Sequence, residues 1–274
     1  MCIALIGWFE NLPLGAAAIL LVGGFVLLSL LLARVVAIVV PNELLREHNE
    51  LAGFIFAVVG VIYAVLLGFV AVNVWERFVV AEERTYDEAS SVTAVYRDAG
   101  SFSNWRQLRR DVRTYVNYAI RVGWPALEAG KEPPDSVDVE LLSRDVHHTP
   151  VHDLREAQVF EHMLERTSET MRDRDARLAE DATGLSSVMW GVVFLGGFIT
   201  IAFSYLFGFQ RTVMQTVMIG TLALLIGLML FLTMSLDFPF RGAIHVGPEA
   251  FQRAIHDLDQ IDAVSVHNVV NAKK

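Results

Sequence analysis

Residues 51–77 read LAGFIFAVVGVIYAVLLGFVAVNVWER, and this stretch decides the fold. From Leu51 to Val74 there is no charged side chain, and Glu76 and Arg77 close the run. About 20 apolar residues in a helix cross a hydrocarbon layer ~30 Å thick. A helix of a soluble core would show one polar face, and this one shows none. Gly53, Ala57, Gly60, Ala64, Gly68 and Ala71 recur at spacings of three and four, so they share one stripe that lets another helix approach closely. Phe54, Val58, Ile62, Val65 and Phe69 form a bulky stripe. In a ring of subunits such a stripe builds an apolar constriction that gates by dewetting; in a lone helix it faces lipid. Asn73 and Glu76 then sit at the mouth of the constriction, or serve as an interfacial cap.

Working outward, three more runs have the same character: 14–40, closed by Pro41, then 185–209, and 213–236, closed by Asp237-Phe238-Pro239. The only charge inside a run is Arg34, near an end where its side chain can snorkel to the headgroups. The amino terminus has no basic segment, and its apolar run is too long for a cleaved signal. Four spans put the amino terminus, residues 75–184 and the tail on one side. Arg77, Arg84, Arg172, Arg174, Arg177, Arg241 and Arg253 lie on that side, against Arg46 and Arg211 on the other. Basic residues near span ends are retained inside, so this side is expected to be cytoplasmic and the protein a multi-pass component of a cell (inner) membrane. The expected fold is all-α: a membrane pair in 1–74 (spans 14–40 and 51–74), a cytoplasmic helical domain in 75–184, a second pair in 185–236 (spans 185–209 and 213–236), and a cytoplasmic tail in 237–274.

The middle region holds 22 acidic and 15 basic residues. Phe78, Glu82, Tyr86, Ala89, Thr93 and Tyr96 continue the second span as helix with no breaker between them. Trp105, Leu108, Val112, Tyr115, Val116, Ala119 and Val122 mark one apolar helix face, with Arg106, Arg109, Arg110 and Arg113 on the other. A further helix is expected over about 154–181, with Val159, Met163, Thr167, Met171 and Leu178 inward. Lys131-Glu-Pro-Pro-Asp135 and Thr149-Pro150 read as loops. So few large apolar residues bury little core alone, which predicts self-association.

Several functions find no support. The net charge of −9 disfavours nucleic acid. The single cysteine, Cys2, allows neither an internal disulfide nor a multi-cysteine metal cage. His147, His148, His152, Asp153, Glu156 and His162 cluster in sequence, but Pro150 interrupts the helical spacing a metal site would need. No metal ligand set, no cofactor and no catalytic constellation is expected. Asp237, Pro239, Arg241 and Gly242 form a structural turn after the last span, with Asp237 and Arg241 placed for an interfacial ion pair.

GFIFAVVGVIYAVLLGFVAVNVWERF at 53–78, AEERTYDEASSVTAVYRDAG at 81–100 and LDFPFRG at 236–242 together resemble the bacterial bestrophin-like membrane proteins. Tyr63, Trp75, Glu76, Glu88, Ala89, Tyr96, Arg97, Asp237, Pro239 and Gly242 are the positions the resemblance singles out. Through a remote similarity to bestrophins proper, it implies four spans, a large cytosolic helical region between the second and third, and a pore lined by the second span with an apolar neck. It also implies oligomeric assembly, by default as a pentamer. The calcium clasp of bestrophins has no clear counterpart in this sequence.

The expected function is therefore a homo-oligomeric channel for inorganic ions, embedded in membrane lipid. Its acidic cytoplasmic region would favour cations slightly. The alternative is a membrane-anchored scaffold or sensor whose cytoplasmic helices bind a protein partner and which has no pore.

Overall fold

The computed structural model describes residues 13–40, 49–134, 137–207 and 212–271. Most of the expected turn at 41–50, the turn at 210–212 apart from its last residue, Asp135 and Cys2 lie outside the described residues. Among those described, the regular structure is helical throughout: α1 (Leu14–Val39), α2 (Asn49–Ala99), α3 (Trp105–Tyr118), α4 (Trp124–Glu128), α5 (Val137–His147), α6 (Leu154–Ala182), α7 (Ser187–Ser204), α8 (Thr212–Leu236) and α9 (Glu249–Asn271). Four of these, α1, α2, α7 and α8, are long and apolar enough to cross a bilayer, and the chain is a membrane protein.

The chain divides into two compact units. The first takes in the chain up to Phe78, Gly184–Phe238 and Gly242–Ile244. Its core gathers Tyr63, Leu67 and Val70 from α2 with Val193 and Ile201 from α7 and Ile219, Ala223, Ile226 and Leu230 from α8. Outside this seam most apolar side chains face outward, as they do when the surrounding solvent is hydrocarbon. With no hydrophobic drive between helices in lipid, close packing must hold them together.

Glycine supplies that packing at two places. A β-carbon on Gly196 would lie 2.6 Å from Tyr63 Cδ2, and one on Gly197 would lie 2.9 Å from its hydroxyl. The Tyr63 ring is thus seated against bare α7 backbone. On α8, Gly227 receives Val22 of α1, whose Cγ1 would sit 3.4 Å from an added β-carbon. Val22 lies in a π-helical turn, Ile19–Gly23, that interrupts α1. Tyr205 adds a polar tie by donating from its hydroxyl to the Ser29 carbonyl at 2.9 Å.

The start of α7 is fixed twice. Ser186 caps it by accepting from the Met189 amide at 3.2 Å. The Leu185 amide and the Trp190 indole donate to the two oxygens of Asp237, at 2.7 and 3.1 Å. Asp237 is buried, with Arg77 at 3.9 Å. Burial pushes its carboxyl pKa up, while those two bonds and Arg77 hold it down.

The second unit comprises Val79–Thr183, Pro239–Arg241 and the chain from His245 on. Here α3 packs on α5 and α9, and α5 on α6. Of the expected apolar face, Leu108, Val112, Tyr115 and Val116 of α3 and Ala119 just beyond it are core, Trp105 is half-buried and Val122 is exposed, while Arg109, expected on the charged face, is buried. Trp124 closes the interior, edge-on to Phe240 with centroids 5.8 Å apart and tilted against Phe251 at 5.6 Å. Its indole donates to the Val246 carbonyl at 3.1 Å. At the start of α6, Asp153 accepts from the Glu156 amide while the Glu156 carboxylate accepts from the His152 amide, each at 2.7 Å. Arg241 makes a forked pair with Asp181, at 3.2 and 2.8 Å. Gly242 follows at φ +76°, a conformation that favours glycine.

Two readings of the middle region change. Residues 137–147, to which the sequence assigned no element, form α5. Of the five side chains expected inward on α6, only Met163 and Thr167 are fully buried; the rest of the buried face is Thr170, Asp173, Arg177 and Asp181. Burying such groups is tolerated only with partners, and these have them: Asp173 pairs with Arg84 at 3.1 Å, Asp181 with Arg241, and Thr170 with the Arg166 carbonyl at 2.8 Å.

The seat of Tyr63 gives a direct test. Gly196→Val is expected to lower the melting temperature in detergent, at a cost of roughly 1–3 kcal/mol for overpacking. Combining it with Tyr63→Ala should recover part of the loss. Equal melting temperatures for wild type and Gly196→Val would remove this packing account.

Candidate functional site

Two regions hold the residues that could carry function. The first is the membrane part of α2. At ~100° per residue, its buried positions Tyr63, Leu67, Val70 and Val74 fall within one narrow sector. The bulky stripe lies roughly 150° round the helix from them. Phe54, Val58, Ile62, Val65 and Phe69 are all exposed in the single chain, Phe69 by 74% and Ile62 by 64%. Asn73 and Glu76 are exposed too, and Glu76 is in register with the stripe. The stripe therefore faces away from the helices that support α2.

The small residues occupy the flank between these two sectors. A β-carbon on Gly53 would meet the Phe207 ring at 3.7 Å, but at Gly60 and Gly68 no atom of the described residues, beyond the helix's own backbone, lies within 4 Å of that position. Ala57 and Ala64 are exposed. Most of this stripe is thus unused within one chain. Trp75 stands on the same flank, stacked on Phe78 with centroids 6.4 Å apart.

The second region is the polar interior of the other unit. Glu88, fully buried on α2, accepts from Arg177 Nε at 2.7 Å and from Arg177 Nη2 at 3.1 Å. The Tyr115 hydroxyl donates to the same carboxylate at 2.5 Å. Burial first, and then the Glu88 charge, push the Tyr115 pKa well up, so this hydroxyl stays a donor. The Arg177 guanidinium is 3% exposed as a residue and lies 4.8 Å from the Trp124 centroid and 5.9 Å from that of Phe251. Aromatic faces thus replace water round the cation.

A second polar knot joins α2, α3 and α9. Asp262 accepts from the Tyr96 hydroxyl at 2.6 Å, from Arg109 at 2.8 Å and from Arg113 at 2.9 Å. Burial opposes ionisation of Asp262, yet the bonds from Tyr96 and Arg113 outweigh it and hold the carboxyl below its usual range. Nearby, Gln107 bridges Asp111 and Asp145, at 3.0 and 3.2 Å. Burial, reinforced by the Asp145 charge, pushes the Asp111 carboxyl up to about 6.

Of the positions singled out by resemblance, Tyr63, Glu88, Ala89, Tyr96 and Asp237 are buried, while Trp75, Glu76 and Arg97 are exposed. Arg177, Tyr115 and Asp262 were not found as site residues from sequence, because their partners lie 89, 27 and 166 positions away. His147 and His148 bond through their rings to the carbonyls of Ser143 and Arg144, and His162 bonds to Asp98. Among the described residues no group of three potential metal ligands converges.

A family model described as a Bestrophin-like domain matches residues 23–251. No curated protein and no solved structure matches the chain.

Two outcomes follow from the polar interior. Glu88→Gln or Arg177→Met alone should destabilise by about 3–5 kcal/mol, because each leaves a buried partner charge uncompensated. The double variant Glu88→Leu/Arg177→Met should recover much of that in thermal unfolding. If it is no better than either single variant, the pair is not the source of the cost.

For Asp111, the folded pKa near 6 exceeds the unfolded value near ~3.9. The folded state therefore binds this proton more tightly. Stability from this group is present below about pH 4 and is lost as pH rises through about 6. Asp111→Asn should flatten that stretch of the stability–pH curve and stabilise at pH 7.5 by on the order of 2 kcal/mol. An unchanged slope between wild type and variant would dismiss the assignment.

Proposed function

The chain belongs to the bestrophin-like family, and from that premise we propose that copies of it assemble round an axis to form an ion-conducting pore. The second span, α2, would line that pore. The observation that carries this reading is the opposition of two stripes on one helix. The buried stripe of Tyr63, Leu67, Val70 and Val74 fixes α2 to α7 and α8, and the bulky stripe faces the other way. Place such a unit in a ring and Phe54, Val58, Ile62, Val65 and Phe69 meet at the axis as an apolar neck. The flank of Gly53, Ala57, Gly60, Ala64 and Gly68 then lies against the neighbouring copy, where small residues allow close helix approach.

An apolar neck closes by dewetting when narrow and conducts when widened by a small displacement. Glu76 sits in register just beyond it, and continuing round α2 at the same pitch the next exposed carboxylate is Glu83. Repeated round a ring, these carboxylates concentrate cations and repel anions, so a preference for cations follows. The excess of basic residues beside the spans on the 75–184 side supports placing that region and both termini in the cytoplasm, with the spans in the inner membrane. Bestrophin resemblance makes five the default number of copies.

Purified protein reconstituted in liposomes should pass monovalent cations. Ile62→Ala should raise basal flux several-fold by widening the neck, and Glu76→Gln should lower the cation-to-anion permeability ratio. A monomer by light scattering in mild detergent, or no flux under any ionic gradient, would defeat the pore. A protein partner retained by such a monomer would favour the scaffold in its place. Flux unaltered by Ile62→Ala would move the neck elsewhere.

A further inference from the structure

The region from Val79 to Thr183 carries an excess of acidic residues, yet one groove in it is strongly basic. The groove has a volume of about 730 Å³ and is lined by Arg106, Arg109, Arg110, Arg113 and Arg121, with Asp262 as its only acidic wall. That volume lies in the range of small-molecule sites. The arginines come from one face of α3 and the π-helical turn that follows it, Ala119–Gly123.

The five guanidiniums fall into two sets. Arg109 and Arg113 are tethered: Arg109 to Asp262 at 2.8 Å, and Arg113 to Asp262 at 2.9 Å and to Asp259 at 2.8 Å. They form a fixed floor. Arg106 lies over the Trp105 ring at 4.6 Å, on which Arg109 also rests at 5.3 Å. Arg106, Arg110 and Arg121 are exposed and make no salt bridge among the described residues. Like charges one helical turn apart, as in Arg106/Arg110 and Arg109/Arg113, destabilise a helix unless an anion sits between them. Two carboxylates, Asp262 and Asp259, neutralise only a fraction of a wall of five guanidiniums.

We infer that this groove binds a compact ligand bearing two or more phosphate groups in a row. A guanidinium fork matches phosphate oxygens in bidentate geometry. A row of phosphates matches both the charge and the repeat of arginines along the helix face. A long nucleic acid does not fit, because the net charge of −9 opposes an extended polyanion. The inference stands independently of the pore: it uses none of the residues assigned to the neck.

The test uses the full chain in nanodiscs of neutral lipid, with inorganic tripolyphosphate as the probe and calorimetry as the readout. Saturable binding is expected, weakening as salt rises. Arg106→Gln/Arg110→Gln should weaken it at least about tenfold, and Arg106→Lys/Arg110→Lys should fall between, because charge is kept and the fork is lost. Arg155→Gln/Arg172→Gln, two exposed arginines elsewhere, should leave it unchanged. Size exclusion and thermal unfolding confirm that each variant is folded. If nanodiscs containing cardiolipin, whose headgroup carries two phosphates, suppress tripolyphosphate binding, the natural source is a lipid headgroup; if they do not, it is a soluble polyphosphate. Absence of saturable binding in the millimolar range, an equal loss in the Arg155/Arg172 control, or tighter binding of a glutamate-rich peptide would overturn the inference.

Discussion

The length of α2 sets the problem that the rest of the chain solves. It runs for 51 residues without a break, about 75 Å at ~1.5 Å per residue, while the hydrocarbon layer is only ~30 Å thick. One helix must therefore obey two rules of burial. It does so without changing register: Tyr63, Leu67, Val70, Val74, Ala81, Thr85, Glu88, Val92, Val95 and Ala99 are buried, and at ~100° per residue they follow one stripe. What changes along the helix is the chemistry of everything else. Between Ala52 and Val72 the uncovered positions are apolar; from Asn73 on they include Asn73, Glu76, Glu82, Glu83, Arg84, Asp87 and Arg97.

The same stripe explains why a carboxylate is found in the core. At Glu88 the register demands burial, and an isolated carboxylate there would be costly. Arg177 and Tyr115 satisfy both oxygens, and Trp124 and Phe251 shield the cation. A buried pair of this kind is weak evidence for stability, since desolvating two ions consumes most of what their attraction returns. Its consequence is specificity. Few alternative packings of α2 against α6 would present a guanidinium fork to that carboxylate, so the pair fixes the register between two helices far apart in sequence.

How far each feature was legible from sequence follows from the range of the interaction behind it. The four spans rest on length and hydropathy, which are local, and all four helices are present. The buried face of α3 was equally plain, because Leu108, Val112, Tyr115 and Val116 repeat at helical spacing. The expected inward face of α6 runs through Val159, Met163, Thr167, Met171 and Leu178; the structure buries Met163 and Thr167, leaves the other three half-buried, and completes the face with Thr170, Asp173, Arg177 and Asp181. Apolar periodicity fails where the buried residues are polar, because their burial depends on Arg84, Glu88 and Arg241, 60 or more positions away. Asp237 is a similar case. Its oxygens are taken by Leu185 and Trp190, one a backbone amide that no charge pattern reveals.

The strongest constraint on function comes from what α2 leaves uncovered. α1, α7 and α8 also expose apolar side chains, and lipid is sufficient to cover those. Glycines with open space beside them occur on α1 and α7 too, at Gly15, Gly23, Gly24 and Gly191; on α2 they fall on one stripe with the exposed Ala57 and Ala64. Among the described residues, Gly60 and Gly68 have no atom of another element where a side chain would begin, and glycine inside a helix gives up about 0.8–1 kcal/mol relative to alanine in water. Lipid chains gain nothing from a groove of bare backbone, whereas a second helix gains dispersion contacts along its whole length. A neighbour seated on that flank turns the bulky stripe towards the interior of any closed ring, because the buried sector opposite is already taken by α7 and α8. In the proposed ring, packing and pore would thus both be set by one helix read at three angles, and the neck would need no residue beyond those that the packing already orients.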